Sequence, residues 1–312
     1  MGLYSAVVLT ELEAQARRPI GQCFDLLAGT SVGGIIALAL AAEVPASAIK
    51  DAFAENGARI FSDRPAPIGG IQHFIDFLRS VRKSKYDGVA LRETLARIFN
   101  RVGNLGDLKH PVIVPAMNIT EGNIHLFGTP HHPSHRDDAG LPVLEVALAT
   151  CAAPTFFAPV QIGGSYFVDG GLFACSPAAL AIHEAENALN ANVEQISLLS
   201  IGTTTSQYAL KSGQSLTSGS DWMKHQHLLN VLLAGQQQVS NLLAKARLQE
   251  RFHHLDWVRV QREPRLLFDV ATHAAQSMLN EMGMRTAKQA LTNPNTASLL
   301  MHSALPLRQQ IE

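Results

Sequence analysis

Residues Gly29-Thr30-Ser31-Val32-Gly33 follow a short apolar run, Cys23 to Ala28, and lead into Val32 to Ala42, where every residue is Val, Ile, Leu, Ala or Gly. A strand, a sharp turn with serine at its apex and a buried small-residue helix is the context that the G-x-S-x-G nucleophile elbow requires. Gly29 and Gly33 have a steric rationale, because a strained turn of this kind leaves no room for Cβ atoms against its neighbours. Ser31 would then stand at a helix N-terminus, where the Val32 N–H and the partial positive charge face a developing oxyanion.

The rest of the chain limits what such a serine can belong to. Its 312 residues carry 25 Lys+Arg against 26 Asp+Glu, with 46% hydrophobic and 16% charged residues. This is a globular composition with ample core, and its charge balance argues against a nucleic-acid polymer as partner. The apolar stretch from Val32 to Ala42 is well short of the ~20 residues that span a bilayer. The chain opens with no charged region followed by an apolar one, and Cys23, Cys151 and Cys175 are too scattered for a disulfide framework, so a cytoplasmic location is expected.

Helices are expected over Leu3 to Arg17, as an amphipathic element, and over Ala46 to Phe61, Val89 to Phe99, Leu141 to Cys151, Pro177 to Asn190 and Trp222 to Gln249. Strands are expected at Cys23 to Ala28, Val112 to Met117, Asn123 to Phe127, Tyr166 to Val168 and Ile196 to Ile201. Arg64 to Gly70 reads as a lid-like loop. No repeat or linker divides the chain, so one domain over 1–312 is expected, and the alternation of strands with helices favours a mostly parallel sheet covered on both faces.

A serine nucleophile needs a base. The α/β-hydrolase arrangement brings several strands before its elbow, whereas one helix and one short strand precede Ser31 here. In the absence of a positioned histidine a carboxylate can serve. Asp169-Gly170-Gly171 ends a strand and is the candidate, although by itself this triplet reads more readily as a hairpin or loop turn.

Taken together, Gly29 to Gly34, Glu55-Asn56-Gly57 before Ile60-Phe61, Ala149 to Phe157, Val168 to Gly171 and Ser200 to Thr203 resemble the patatin-like phospholipase family in order and spacing. The resemblance covers roughly Gly2 to Thr203. It implies a three-layer α/β/α fold and a Ser-Asp dyad, with Ser31 as nucleophile and Asp169 as base, acting on acyl esters of membrane phospholipids. It implies no cofactor and no metal. Bacterial members of similar form include antiphage effectors switched on by a cyclic nucleotide, which would make this a protein peripheral to the membrane when active. Homo-oligomer formation stays open.

Two departures from the family pattern stand out. Met1-Gly2-Leu3-Tyr4 begins where the family's G-G-G-x-R-G oxyanion loop ends, so the first strand and all of that loop but Gly2 are missing. The expectation is an impaired enzyme, with a catalytically silent module that binds lipid or a cyclic nucleotide as the alternative. Cys151 stands where the family often has Ser, and Cys175-Ser176 where it often has paired Asn.

Other features carry plainer readings. His131, His132, His135, Asp137 and Asp138 lack helical metal-ligand spacing and read as a solvated loop. Arg79, Arg82, Lys83 and Lys85 read as a solvent-facing helix end, with anionic headgroups as the functional alternative. Trp222 to Gln249, apolar at Leu228, Leu232, Val239, Leu242 and Ala246, reads as a core helix, and Cys151 and Cys175 as small buried hydrophobes.

Overall fold

Seven residues of β2, Val112–Asn118, organise the structure. The computed structural model describes residues 1–61, 86–204, 217–218, 221–222, 227–259 and 271–307, so the 64–70 loop and the basic stretch 79–85 lie outside the described residues. Six of the seven β2 residues are buried, as expected of a strand covered on both faces.

Strand β1 (Leu27–Ala28) pairs with β2 in parallel, Leu27 opposite Val112 and Ala28 opposite Ile113. Strand β3 (Asn123–Gly128) runs antiparallel along the other edge of β2. Strand β5 (Ser165–Asp169), itself paired with β4 (Val160–Ile162), lies antiparallel to β2 with Ala116 opposite Asp169. Since β3 fills one edge of β2, β1 and β5 share the other, and their ends approach each other across the three-residue step from Ile113 to Ala116. That shared edge brings residue 31 to residue 169.

A second sheet joins β6 (Leu198–Ile201) to β7 (Phe252–Leu255) in parallel. Pairing is parallel in β1–β2 and β6–β7 and antiparallel in β2–β5, which a connection containing a helix separates, and in β2–β3 and β4–β5, which short connections join. Short turns force that direction, with Gly122 and Gly163 at positive φ in the two turns. The apolar run at Cys23 forms a 3₁₀ turn, Ile20–Cys23, before the strand begins.

Among the described residues the α-helices are α1 (Gly2–Ala16), α2 (Val32–Ala41), α3 (Ala46–Ile60), α4 (Val89–Ile98), α5 (Val143–Thr150), α6 (Ala178–Asn187), α7 (His227–Leu248), α8 (His273–Leu291) and α9 (Pro294–Met301). Helix α1 departs from its amphipathic expectation: Gly2 through Leu9 are all buried, because α3 and α8 pack around it. Gly283 of α8 permits the close approach, since a Cβ there would sit 2.8 Å from Val7 Cγ1. Tyr4, fully buried, donates its hydroxyl to Thr286 Oγ1 at 2.9 Å. Leu279, Met282 and Leu300 from the C-terminal third thus share one hydrophobic cluster with α1, α2 and β2.

Helix α7 also departs from expectation. Its buried positions include Ser240, Ala244 and Leu248, while Leu228, Leu232, Val239 and Leu242 are 44–67% exposed. The repeat in the sequence is real, but the packed face is Ser240, Ala244 and Leu248, and the large apolar side chains of the repeat point outward. Among the described residues no helix is long and apolar enough to cross a membrane.

Candidate active site

Ser31 is the N-cap of α2 with φ 56° and ψ −127°, a conformation that a residue with a side chain rarely adopts. Gly29 makes it possible. A Cβ at Gly29 would lie 2.0 Å from the Gly33 carbonyl oxygen. Gly33 itself has open space around its Cβ direction, so the steric rationale holds for Gly29 and not for Gly33. The second tight glycine is Gly34, where a Cβ would meet Thr150 Cγ2 at 2.8 Å.

The Ser31 hydroxyl donates to Asp169 Oδ2 at 2.7 Å. Asp169 is 6% exposed, and its second oxygen, Oδ1, accepts the Gly171 N–H at 2.7 Å. Gly170 is pressed onto β2, since a Cβ there would lie 2.3 Å from the Pro115 carbonyl oxygen. Asp-Gly-Gly is thus a turn that also presents a carboxylate to Ser31. Burial raises the Asp169 pKa from 3.8 to about 6, against the opposing pull of the Ser31 and Gly171 hydrogen bonds.

Thr150, at the end of α5 and fully buried, is a site residue that sequence reading passed over. Its Oγ1 accepts the Ser31 backbone N–H at 3.0 Å and donates to the Pro115 carbonyl at 2.8 Å. The Ala149 to Phe157 string contains it, but nothing in one sequence separates its role from that of its neighbours.

Val32 occupies the first position of α2, where a helix leaves its amides without intrahelical partners. Gly2 packs directly on it, since a Cβ at Gly2 would lie 2.3 Å from Val32 Cγ2. The first turns of α1 and α2 therefore meet beside Ser31. Burial pushes the Cys151 thiol well up, with the Asp169 charge adding to it, and burial raises Cys175 to about 11. Both stay protonated and unreactive at neutral pH. Clefts lined by Glu11, Met284 and Lys288, and by Trp257 and Met278, run along α8 and do not include either member of the Ser31–Asp169 pair.

Beside the pair, Gln236 of α7 donates to the Leu172 carbonyl, and Leu233 Cδ2 lies 3.9 Å from the Cβ position of Gly171. The exposed apolar side of α7 and the exposed Leu172 therefore flank the Asp169 turn. The 129–140 loop, read as solvated, buries His131, His135 and Asp138.

A family profile described as "Patatin-like phospholipase" matches residues 1–182. The chain is 36% identical over 306 residues to a cGAMP-activated phospholipase of Pseudomonas aeruginosa, covering 97% of this chain and 89% of that protein. It is 34% identical over 240 residues to a cGAMP-activated phospholipase of Vibrio cholerae, covering 71% of this chain and 66% of that protein. A third, from Escherichia coli and of the same description, is 31% identical over 265 residues, covering 78% and 72%.

Proposed function

The chain belongs to the patatin-like phospholipase family, and from that membership we propose that it is a phospholipase A-type lipid acyl hydrolase working through Ser31 and Asp169. The observation that carries the reading is the 2.7 Å hydrogen bond from Ser31 Oγ to Asp169 Oδ2, held between a strained turn and a glycine turn that neither side chain can easily leave.

Ser31 Oγ attacks the ester carbonyl carbon and its proton passes to Asp169 Oδ2. The carbonyl oxygen takes the negative charge and faces the first-turn amides, with Val32 N–H as the principal donor and Gly2 N–H beside it. Asp169 returns the proton to the departing alkoxide, leaving an acyl-serine. Asp169 then deprotonates a water that attacks this acyl group, freeing the fatty acid and restoring Ser31. A carboxyl with a pKa of about 6 is ionised at neutral pH yet more basic than an ordinary aspartate, which suits it to both transfers.

The exposed Leu228, Leu232, Val239 and Leu242 beside the Asp169 turn support peripheral contact of a cytoplasmic protein with a membrane surface. The descriptions of its relatives support activation by a cyclic nucleotide such as cGAMP, and with it a role in antiphage defence.

The test is fatty-acid release from phosphatidylglycerol vesicles, with and without cGAMP, by the chain and by Ser31→Ala. Release by the chain that Ser31→Ala abolishes is expected. Equal release by both would overturn the assignment of Ser31.

A further inference from the structure

His131, His135 and Glu184 converge away from the Ser31–Asp169 pair. His131 and His135 belong to the loop that follows β3, and Glu184 projects from α6. Their side chains are 0%, 6% and 8% exposed. The Nε2 atoms of both imidazoles point at one oxygen, Glu184 Oε1, at 2.9 and 2.8 Å, and the three candidate ligand atoms all lie within 4.8 Å of one another.

The far side of each ring decides what this convergence can hold. His131 Nδ1 lies 2.8 Å from Thr129 Oγ1, and His135 Nδ1 lies 3.9 Å from Asp138 Oδ2. Asp138 is itself anchored, its Oδ2 accepting the Gly128 N–H at 3.0 Å. In the ion-free chain each Nε2 lies at hydrogen-bond distance from Glu184 Oε1, and an incoming ion would take the Nε2 lone pairs as the ring protons shift to Nδ1, where Thr129 Oγ1 and Asp138 Oδ2 are the nearest oxygens. Once the ring protons stand on Nδ1, two nitrogen lone pairs and a carboxylate oxygen face a common centre. In that protonation state a cation at the centre would satisfy all three acceptors.

We propose that His131, His135 and Glu184 form a binding site for a first-row divalent cation, zinc being the natural probe. Two imidazoles and one carboxylate suit zinc, with water as the fourth ligand. Tetrahedral bonds of about 2.0–2.1 Å place ligand atoms roughly 3.3 Å apart, so the two N–O distances lengthen by about half an ångström to admit the ion. Binding displaces any protons held on the two Nε2 atoms, which ties affinity to pH. The bound ion joins the 129–138 loop to α6, the helix that follows the Asp169 turn, and acts as a structural clamp independent of acyl transfer.

The test uses the full chain, free of any affinity tag and stripped with chelator, titrated with Zn²⁺ and separately with Co²⁺. One equivalent per chain is expected, with the visible absorption of tetrahedral Co²⁺ and a Tm rise of roughly 5 °C at 100-fold excess over Kd. Glu184→Gln and His135→Asn should lose both signals while retaining the far-ultraviolet circular dichroism of the wild type. Binding of equal stoichiometry by these variants would overturn the site, as would a wild-type chain that takes up no ion. Should the variants fail to fold, ¹⁵N imidazole spectra of the wild type decide. Metal-dependent shifts of two Nε2 resonances support the site, and Nε2 signals unchanged by Zn²⁺ refute it.

Discussion

Thr150 Oγ1 takes the backbone N–H of Ser31 at 3.0 Å, so the residue that ends α5 fixes the peptide on which the nucleophile stands. The same hydroxyl donates to Pro115 on β2 at 2.8 Å. Thr150→Val keeps the shape and leaves both partners without their hydrogen bond in a buried place. A loss of about 1–3 kcal/mol in stability is expected, read by denaturant unfolding. Ester hydrolysis should fall by roughly tenfold as the serine loses its support. Unchanged unfolding would show that the Ser31 amide finds another acceptor.

Asp169→Asn removes the base while keeping the volume and an oxygen for Gly171. Turnover of a short-chain ester should drop by roughly 10²–10⁴-fold, with the fold intact by circular dichroism. Retention of wild-type turnover would remove Asp169 from the mechanism.

The raised Asp169 pKa sets two pH dependences of opposite sense. Activity needs the carboxylate, so kcat/KM should climb as pH rises through about 6 and then level. Stability moves the other way. Between 3.8 and about 6 the folded chain holds a proton that the unfolded chain has lost, so this group's contribution to stability declines as pH rises through that window. The decline is on the order of 3 kcal/mol at 1.36 kcal/mol per unit. Asp169→Asn should therefore be more stable than the wild type at about pH 7.5 and nearly equal to it at about pH 4, as measured by urea unfolding at both.

Gly29 and Gly33 flank the same serine and should respond differently to alanine. Gly29→Ala drives a methyl to within 2.0 Å of the Gly33 carbonyl, and soluble folded protein should be lost. Gly33→Ala meets nothing within 4 Å and improves the helix by up to about 1 kcal/mol. Thermal melts and ester assays of the two variants check the contrast.

Ser31 holds a strained backbone. Glycine relieves the φ 56°, ψ −127° backbone and alanine does not. Ser31→Gly should be about 1 kcal/mol more stable than Ser31→Ala, both inactive, in paired denaturant melts.

What the sequence disclosed was local. The elbow, the Val112 and Asn123 strands and the Asp169 turn declare themselves through short-range pattern, because glycine and alternating apolar residues constrain the backbone wherever they occur. Thr150, the face that α7 buries and the convergence of His131 with Glu184 depend on contacts between segments far apart in sequence. A hydroxyl or imidazole looks the same whether it faces water or a partner 53 residues away, as His131 does. Helix α1 misleads for a related reason. Its apolar spacing fits one buried face, and only the arrival of α8 from the far end of the chain covers the rest.

The shared edge of β2 also has a temporal consequence. Ser31 and Asp169 are 138 residues apart, and although β1 needs only the chain up to β2, β5 cannot seat on β2 until the residues up to Asp169 have been made. A growing chain that has just formed its elbow holds a serine without a base. On the proposed mechanism the dyad exists only once this long-range pairing has closed, so a chain in which β5 is not yet seated should lack ester hydrolysis.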